Sequence, residues 1–306
     1  MFDTHCHLNF QAFENSLNQV ISEAKKAGVN QIIIPGTDVE TSKKAIEIAE
    51  KFPNIYAAVG IHPHHVYEFL KAREQNFLSP VGTLPAPSAG VSQVAKNFAP
   101  SLYIEKELKK IEKFLSHSKV VAIGEVGIDH HIYQKTVYKN YKINPEFIEG
   151  QKEFFIEQIK LAIKYDKSLI LHNRGAREDM LEVLNEIWDK KLEGRSVFHC
   201  CEQDNDLLNF AINHKMFIGV DGDITYWKEK QKFIKTVPLE MLVLETDSPF
   251  LMPRLLSIPR PLIRYNEPKN LVLIAEFIAK LKNISVEKIS EITTENAEKL
   301  FNINDK

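Results

Sequence analysis

The chain has 306 residues, of which 44% are hydrophobic and 26% are charged, and its formal net charge is -2. This balance is typical of a globular protein, and it argues against a nucleic-acid binder that relies on a broad basic surface. Three Cys are too few for the disulfide framework of a small secreted protein. The start resembles no signal peptide and no apolar run reaches the ~18 residues of a membrane helix, so we expect a soluble, cytoplasmic protein.

Eight short apolar segments, rich in β-branched residues, alternate along the chain with segments of helical periodicity. Strands are predicted at residues 2–4, 31–35, 56–60, 120–124, 168–171, 196–198, 216–220 and 241–244. The helical pattern is clear at 17–24, 148–162, 181–188 and 271–278, and two further helical stretches, 285–292 and 294–301, close the chain. Because the strands are continuous apolar runs, they are expected to be parallel and covered on both faces.

These strand–helix units predict an α/β fold, a single-domain (β/α)8 TIM barrel over residues 1–302 with a tail at 303–306. A doubly wound open sheet is the alternative, but a nucleotide enzyme of that class normally has a glycine-rich turn after its first strand. Here residues 4–7 read Thr-His-Cys-His.

Residues 78–100, which are rich in Pro and carry one charge, are predicted to form an inserted loop after the third strand. In a barrel such a loop lies on the same face as the active site. It is either a tolerated surface insertion or a lid that shapes the substrate site.

Histidines and carboxylates gather at the ends of the predicted strands. Nine of the 11 His lie there, and only His117 and His214 do not. In a parallel barrel all strand C-termini open on one mouth, so these side chains would converge. Imidazoles and carboxylates from several strands are what Zn, Mn, Co or Mg sites require. The six candidate metal ligands are His5, His7, Glu125, His172, His199 and Asp247.

Six ligands exceed the three protein ligands plus water of a catalytic Zn site. We therefore predict two divalent ions per chain, Zn, Mn, Mg or Co, with one carboxylate shared between them. Paired ions lower the pKa of bound water and clamp the attacking and leaving oxygens of a hydrolytic displacement. A metal-binding scaffold is the non-enzyme alternative, but a scaffold would not need a water-activating carboxylate.

Nine motifs run nearly from end to end of the chain. They are FDTHCHLNF at 2–10, VGIHPHH at 59–65, IGEVGIDHH at 123–131, LILHNRGA at 169–176, VFHCC at 197–201, IGVDGDITY at 218–226, LETDSPFLMP at 244–253, RYNEP at 264–268 and TTENAEKLF at 293–301. Together they resemble the TatD-type metal-dependent deoxyribonucleases, a branch of the amidohydrolase-like metallohydrolases. The resemblance implies the same barrel and covers all but the 78–100 insertion and the tail.

The resemblance also implies which ligands share a metal. One metal would be bound by His5, His7 and Asp247, the second by His172 and His199, and both would be bridged by Glu125. The implied catalytic residues are Glu125 and Asp247, because Asp247 would also orient the attacking water and take its proton. His62 and Arg174 lie where the family contacts the substrate phosphate.

Three features depart from the family pattern, and all of them would line the mouth. Where the family usually has Phe and then Ser-Gly after the sixth strand, this chain has Cys201, Glu202 and Gln203. Two histidines, His130 and His131, replace an aromatic residue after the fourth strand, and the 78–100 insertion is extra. No predicted ligand is lost, so the departures bear on the substrate.

Other residues near the mouth have more than one interpretation. His64, His65, His130 and His131 are expected to be hydrogen-bonding or solvent-facing groups, with a third metal or a phosphate contact as the alternative. Glu202, Asp221 and Asp3 are candidates for hydrogen bonds behind the ligands. Tyr226 and Trp227 either pack at the rim or stack a nucleobase.

Hydrolysis of phosphodiester bonds in DNA is the leading hypothesis. Only seven Arg stand against 32 Lys, and five of them follow the fifth or eighth strand, namely Arg174, Arg177, Arg254, Arg260 and Arg264. Arg is the bidentate partner of phosphate. Because the net charge of -2 argues against wrapping a duplex, single strands or strand ends are the expected partner. The resemblance alone implies that a 3'-5' exodeoxyribonuclease digests the strand. Neither a membrane nor an obligate protein partner is expected.

A metal-dependent hydrolase of a small ester, lactone or amide is the alternative enzyme. Cyclic-amidase relatives often bridge their metals with a modified Lys at the fourth strand. This chain has Gly124-Glu125-Val126 there, which counts against that chemistry.

Overall fold

The computed structural model describes residues 1–68, 104–134, 138, 141–254 and 265–303. Eight parallel strands form one sheet, in which each strand lies beside the next one along the chain. They are β1 (Phe2–Asp3), β2 (Gln31–Pro35), β3 (Ile55–Val59), β4 (Val120–Asp129), β5 (Ser168–Arg174), β6 (Ser196–Phe198), β7 (Phe217–Val220) and β8 (Leu242–Leu244). The predicted strands are all present, and the (β/α)8 TIM barrel is confirmed.

The barrel closes between β8 and β1, just beyond the ends of both strands. The Thr4 N–H donates to the Leu244 carbonyl at 3.0 Å, and the Asp247 N–H donates to the His5 carbonyl at 2.9 Å. A parallel bridge between Cys6 and Ser248 continues this seam. The segments that carry His5 and Asp247 are therefore held side by side.

Helices alternate with the strands and pack against them. Their bounds are Leu17–Lys26, Val39–Lys51, 104–112, Pro145–Lys164, Arg177–Ile187, Asn205–Asn213, Lys228–Thr236, Leu271–Lys282 and Val286–Phe301. Asp38, Asn144 and Asp204 begin three of them, because each side chain accepts a hydrogen bond from a backbone N–H of the first turn.

The last helix differs from the prediction of two helical stretches. Residues 286–301 form one continuous helix. Thr293, at the expected break, donates its hydroxyl to the Ile289 carbonyl at 2.7 Å and is buried. Its polar group is thus satisfied within the helix, so the helix does not end there.

Apolar side chains fill the barrel at its N-terminal end. Each strand contributes one buried residue to this cluster, namely Phe2, Ile33, Ala58, Ala122, Ile170, Val197, Phe217 and Val243. Ala297, Leu300 and Phe301 of the last helix close it from below, and Ile303 still packs there. With this end filled, the C-terminal mouth is the open end of the barrel.

Strands β4 and β5 run further toward the mouth than predicted. Their pairing continues through Gly127 opposite His172 and Asp129 opposite Arg174. A Cβ at Gly127 would lie 2.0 Å from the His172 carbonyl oxygen, so only glycine allows this approach. Glu125 and His172 therefore both lie within paired strands, and Glu125 lies at the register shift between Ile123 and Val126.

Some predictions fall outside the described residues. These are the inserted loop at 78–100, the end of the tail at 304–306, and Arg260 and Arg264. Among the described residues, no helix combines the length and the apolar composition needed to cross a bilayer.

Candidate active site

The six predicted ligands converge at the mouth around Glu125, which is 4% exposed. Its Oε2 lies 3.5 Å from His5 Nε2 and 3.7 Å from His7 Nε2. Its Oε1 lies 2.5 Å from His172 Nδ1 and 3.0 Å from His199 Nε2. Each carboxylate oxygen thus faces different imidazoles.

The first donor set has the dimensions of a tetrahedral metal site. His5 Nε2 and His7 Nε2 are 3.2 Å apart, and they lie 3.8 and 3.4 Å from Asp247 Oδ1. A tetrahedron with metal–ligand bonds of 2.0–2.2 Å has edges of about 3.4 Å. The nitrogen and oxygen atoms of this set therefore fit around one divalent ion.

The second donor set is more contracted. Glu125, His172 and His199 bring their ligand atoms together, but the contacts at 2.5 and 3.0 Å are hydrogen-bond distances. His172 is the pivot of this set, because its Nδ1 faces Glu125 and its Nε2 lies 3.1 Å from Asp129 Oδ2. A carboxylate behind a histidine fixes which nitrogen can bind a metal.

The imidazoles of the cluster differ in the direction of their pKa shifts. Burial and the neighbouring charge of His199 lower the pKa of His5, which favours a neutral ring with a free lone pair. Burial opposes protonation of His172 too, but Glu125 and Asp129 raise its pKa to about 9. Burial also opposes ionisation of Glu125, yet the histidine charges, with His199 the strongest, hold its pKa well below the usual range.

The predicted phosphate contacts occupy different depths of the mouth. His62 is buried, and its Nε2 lies 3.5 Å from Glu125 Oε1, within the cluster itself. Arg174 is exposed at the rim, where its guanidinium donates to the Tyr133 hydroxyl at 3.3 Å and lies over the same ring. Both line a cavity of about 670 Å³ above the donor cluster.

Two buried carboxylates support the ligands from behind, and their roles were missed or underrated by the sequence reasoning. Asp129 accepts hydrogen bonds from the Tyr133 hydroxyl at 2.6 Å and the His131 N–H at 2.7 Å. Glu245 lies 3.5 Å from His199 Nδ1 and accepts from the Cys200 N–H. Spacing could have found Asp129, since residues four apart on one strand point the same way.

Asp3 ties the first strand to the eighth. It is fully buried and accepts from the Thr246 hydroxyl at 2.7 Å, the Thr246 N–H at 3.0 Å and the His5 N–H at 3.3 Å. Burial raises the pKa of Asp3 to about 8 despite these hydrogen bonds. It contacts the backbone on which His5 and Asp247 lie.

A buried lysine was not anticipated. Lys230 is 1% exposed, and its ammonium lies 2.8 Å from Asp221 Oδ2 and 2.7 Å from Asp223 Oδ1. Asp221 is therefore paired with a lysine. It also accepts a hydrogen bond from the Asp223 N–H at 2.8 Å.

The remaining histidines of the mouth make contacts within the protein. His64 stacks on Tyr133 with ring centroids 4.6 Å apart, and His65 Nδ1 lies 2.7 Å from the Tyr138 hydroxyl. His130 pairs with Asp179 at 3.1 Å. Glu202 accepts from Asn173 Nδ2 at 2.6 Å and from the Gly175 N–H. His117 and His214 lie away from the cluster, against Glu50 and Trp188 respectively.

Comparison with known proteins gives a consistent result. The family described as "TatD related DNase" matches residues 2–302. An uncharacterized metal-dependent hydrolase, YabD of Bacillus subtilis, is 32% identical over 99% of this chain and 100% of its own length. The 3'-5' ssDNA/RNA exonuclease TatD of Escherichia coli is 27% identical over 99% of both chains, and the deoxyribonuclease Tat-D of Schizosaccharomyces pombe is 29% identical over 92% of this chain and 86% of its own.

The fold agrees with solved structures. YJJV, a TatD homologue from Escherichia coli, superposes with a TM-score of 0.74 at 25% identity, covering 99% of this chain and 98% of its own. A TatD family hydrolase from Entamoeba histolytica has the same fold, with a TM-score of 0.71 at 22% identity over 98% of this chain and 97% of its own. With the barrel and the donor cluster in place, these matches show that the chain belongs to the TatD family of metal-dependent hydrolases.

Proposed function

We propose that this protein hydrolyses phosphodiester bonds in DNA, as a 3'-5' exodeoxyribonuclease that acts on single strands or strand ends. The names of two relatives, an ssDNA/RNA exonuclease and a deoxyribonuclease, support the substrate class. The two Glu125 oxygens face different histidines, Oε2 facing His5 and His7 and Oε1 facing His172 and His199 with His62 beside them, and this observation carries the proposed chemistry.

Two divalent ions would be held by this chain. His5, His7 and Asp247 would hold one, His172 and His199 the other, and Glu125 would bridge them. Bound ions of this kind lower the pKa of water and neutralise phosphate charge. Zn, Mn, Co and Mg remain the candidates, because imidazole and carboxylate ligands suit several of them.

The protein's own groups would manage the proton and the phosphate. Asp247, whose Oδ1 faces His5 and His7, would accept the proton of the attacking water. Water oxygen would bond to phosphorus while the ester P–O bond breaks, and the proton taken up by Asp247 would pass to the leaving oxygen, giving a phosphomonoester and a free hydroxyl. His62 within the cluster and Arg174 at the rim would hold phosphate oxygens.

The charge distribution supports action at a strand end. The chain as a whole carries a formal charge of -2, so tight wrapping of a duplex is not expected. Positive charge at the rim comes from Arg174, which lines the cavity, and exposed Arg254 follows β8 in the chain. A local site of this kind can engage one or a few nucleotides.

The decisive experiment assays one metal-loaded preparation against single-stranded DNA, RNA, lactones and cyclic amides. We expect nucleotide release from DNA, no release in excess chelator, and a loss of at least about 100-fold in Asp247→Asn, since a general base contributes at least that factor. His117→Gln is the matched control and should retain full activity, because half-buried His117 contacts Glu50 away from the cluster.

Two results would contradict the proposal. Full activity in excess chelator would exclude the metal-dependent chemistry. Turnover of a lactone or cyclic amide without release of nucleotides from any DNA would transfer the assignment to the small-ester or amide alternative.

A further inference from the structure

Two large aromatic side chains at the mouth are left open to solvent. Trp227 is 53% exposed and Phe250 is 50% exposed, and both line the cavity above the donor cluster. The sequence left open whether Trp227 packs at the rim, and its exposure shows that half of its surface does not. Exposed apolar surface that lines a cavity is characteristic of ligand binding.

Both side chains stand on a firmly held backbone. The Trp227 N–H donates to the Asp223 carbonyl at 3.0 Å, and Trp227 begins the helix Lys228–Thr236. The Phe250 N–H donates to the Asp247 carbonyl at 2.8 Å. The aromatic rings are therefore presented by fixed elements at the C-terminal mouth.

The loops that carry them pack on each other. A Cβ at Gly222 would lie 2.0 Å from the Leu251 carbonyl oxygen, so the loop after β7 touches the loop after β8. The Arg254 N–H donates to the Thr225 hydroxyl at 2.8 Å, and the Arg254 guanidinium lies 4.4 Å from the centre of the Tyr226 ring. Tyr226, the neighbour of Trp227 in the chain, thus has a cation over its ring.

Phe250 reaches the candidate metal ligands. The Phe250 ring meets the His7 ring edge to face, with centroids 6.1 Å apart. The Phe10 ring stacks on the same His7 ring at 4.3 Å. Phe250 is three residues from Asp247. A flat group that lies against Phe250 would therefore be next to the atoms where hydrolysis is proposed.

We infer that Trp227 and Phe250 form a stacking subsite for the base of an unpaired nucleotide whose phosphate lies at the metal cluster. The inference rests on the proposed function and deepens it. Every base has a π face, so the subsite would accept all four bases, whereas bases inside a duplex are already stacked. A preference for single strands would then come from these two aromatic rings rather than from a basic surface.

Fluorescence can report on the subsite without catalysis. The chain has two Trp, and Trp188 packs against Phe210 and His214, so Trp188→Phe leaves Trp227 as the single reporter. On metal-loaded protein we expect hexadeoxyadenylate with phosphorothioate linkages, which resist hydrolysis, to quench this emission in a saturable way. A hexamer with the same phosphates and abasic residues should leave the emission unchanged and bind roughly tenfold or more weakly, as expected for a lost base–aromatic stack.

Substitution separates stacking from general packing. On metal-loaded protein, Trp227→Ala should raise KM for single-stranded DNA roughly tenfold at constant kcat, and Trp227→Tyr should keep most of the affinity because it keeps a ring. Ile212→Ala is the matched control, since Ile212 is an exposed apolar residue (47%) on the helix Asn205–Asn213.

The failure of this inference can be told from that of the proposed function. If DNA is hydrolysed but Trp227→Ala leaves KM unchanged, or abasic and adenylate hexamers bind and quench equally, the stacking subsite is wrong and the nuclease stands. If no nucleic acid is bound or hydrolysed, both are wrong.

Discussion

Glu125 organises the mouth because its two oxygens serve different neighbours. Its backbone N–H donates to the Gly36 carbonyl at 2.9 Å, and its position within β4 sets the direction of the side chain. Asp129, four residues further on the same strand, faces the same way and meets the far side of the His172 ring. The two carboxylates thus hold one imidazole between them.

His64, which is not among the candidate metal ligands, provides a pH-dependent term in stability. Burial lowers its pKa to about 4, and His62 and His65 act in the same direction. The unfolded chain, with a pKa of ~6.5 for this group, binds more protons than the folded protein between pH 4 and 6.5. Stability should therefore fall as the pH falls through this window.

The variant His64→Phe keeps a ring to stack on Tyr133 but removes the titrating group. Urea unfolding in chelator at pH 6.5 and pH 4 should show a smaller loss of unfolding free energy in the variant than in the wild type. Equal losses in the two proteins would show that His64 is not held neutral by the fold.

At the level of elements, the pairing of β4 with β5 decides where the ligands lie. Gly127 has a φ of 150° and lies against the His172 carbonyl, so the two strands approach closely at the level of the cluster. Gly219 plays a similar part on β7, because a Cβ there would meet the Glu245 carboxylate at 2.6 Å. Small residues at these points allow polar side chains to fill the mouth.

We predict that Gly127→Ala lowers the free energy of unfolding by about 3 kcal/mol, because the methyl group forces the strands apart in addition to the backbone strain. It should also weaken metal binding, since His172 must shift. Gly194→Ala is the matched control: its φ is 70°, but nothing lies within 4 Å of the added Cβ, so it should cost only about 1 kcal/mol and leave metal binding intact. Urea unfolding and metal titration measure both effects, and equal costs for the two variants would contradict the steric argument.

On the scale of the whole molecule, the barrel is asymmetric from end to end. The N-terminal end is filled by one apolar residue from each strand and by the last helix, whereas the C-terminal end carries buried histidines and carboxylates. Like charges and unpaired imidazoles at one mouth are costly to bury unless a cation joins them. Metal binding is therefore expected to stabilise the entire fold.

A divalent ion at a concentration of ~100 times its Kd raises the free energy of unfolding by about 2.7 kcal/mol. Tm should therefore rise by several degrees. Thermal unfolding with and without Zn or Mn measures this shift, and metal analysis counts the ions. Glu125→Gln should lose most of the rise, because the amide cannot offer two anionic oxygens, whereas His117→Gln should keep it. An unchanged Tm in the wild type, or an undiminished rise in Glu125→Gln, would contradict the assigned ligand set.

Local patterns in the sequence were enough to predict the eight strands, the parallel barrel and the convergence of His5, His7, Glu125, His172, His199 and Asp247 at one mouth. Strand periodicity and chain order carry this information, because parallel strands place all their C-terminal ends together. Only the tertiary structure decided which of these side chains face one another. Contacts across strands and loops determine which histidines each Glu125 oxygen faces. They also determine that Glu245 lies against His199 and that Trp227 is exposed. The closure that sets Asp247 beside His5 joins residues at opposite ends of the chain, and such packing is not encoded in local periodicity.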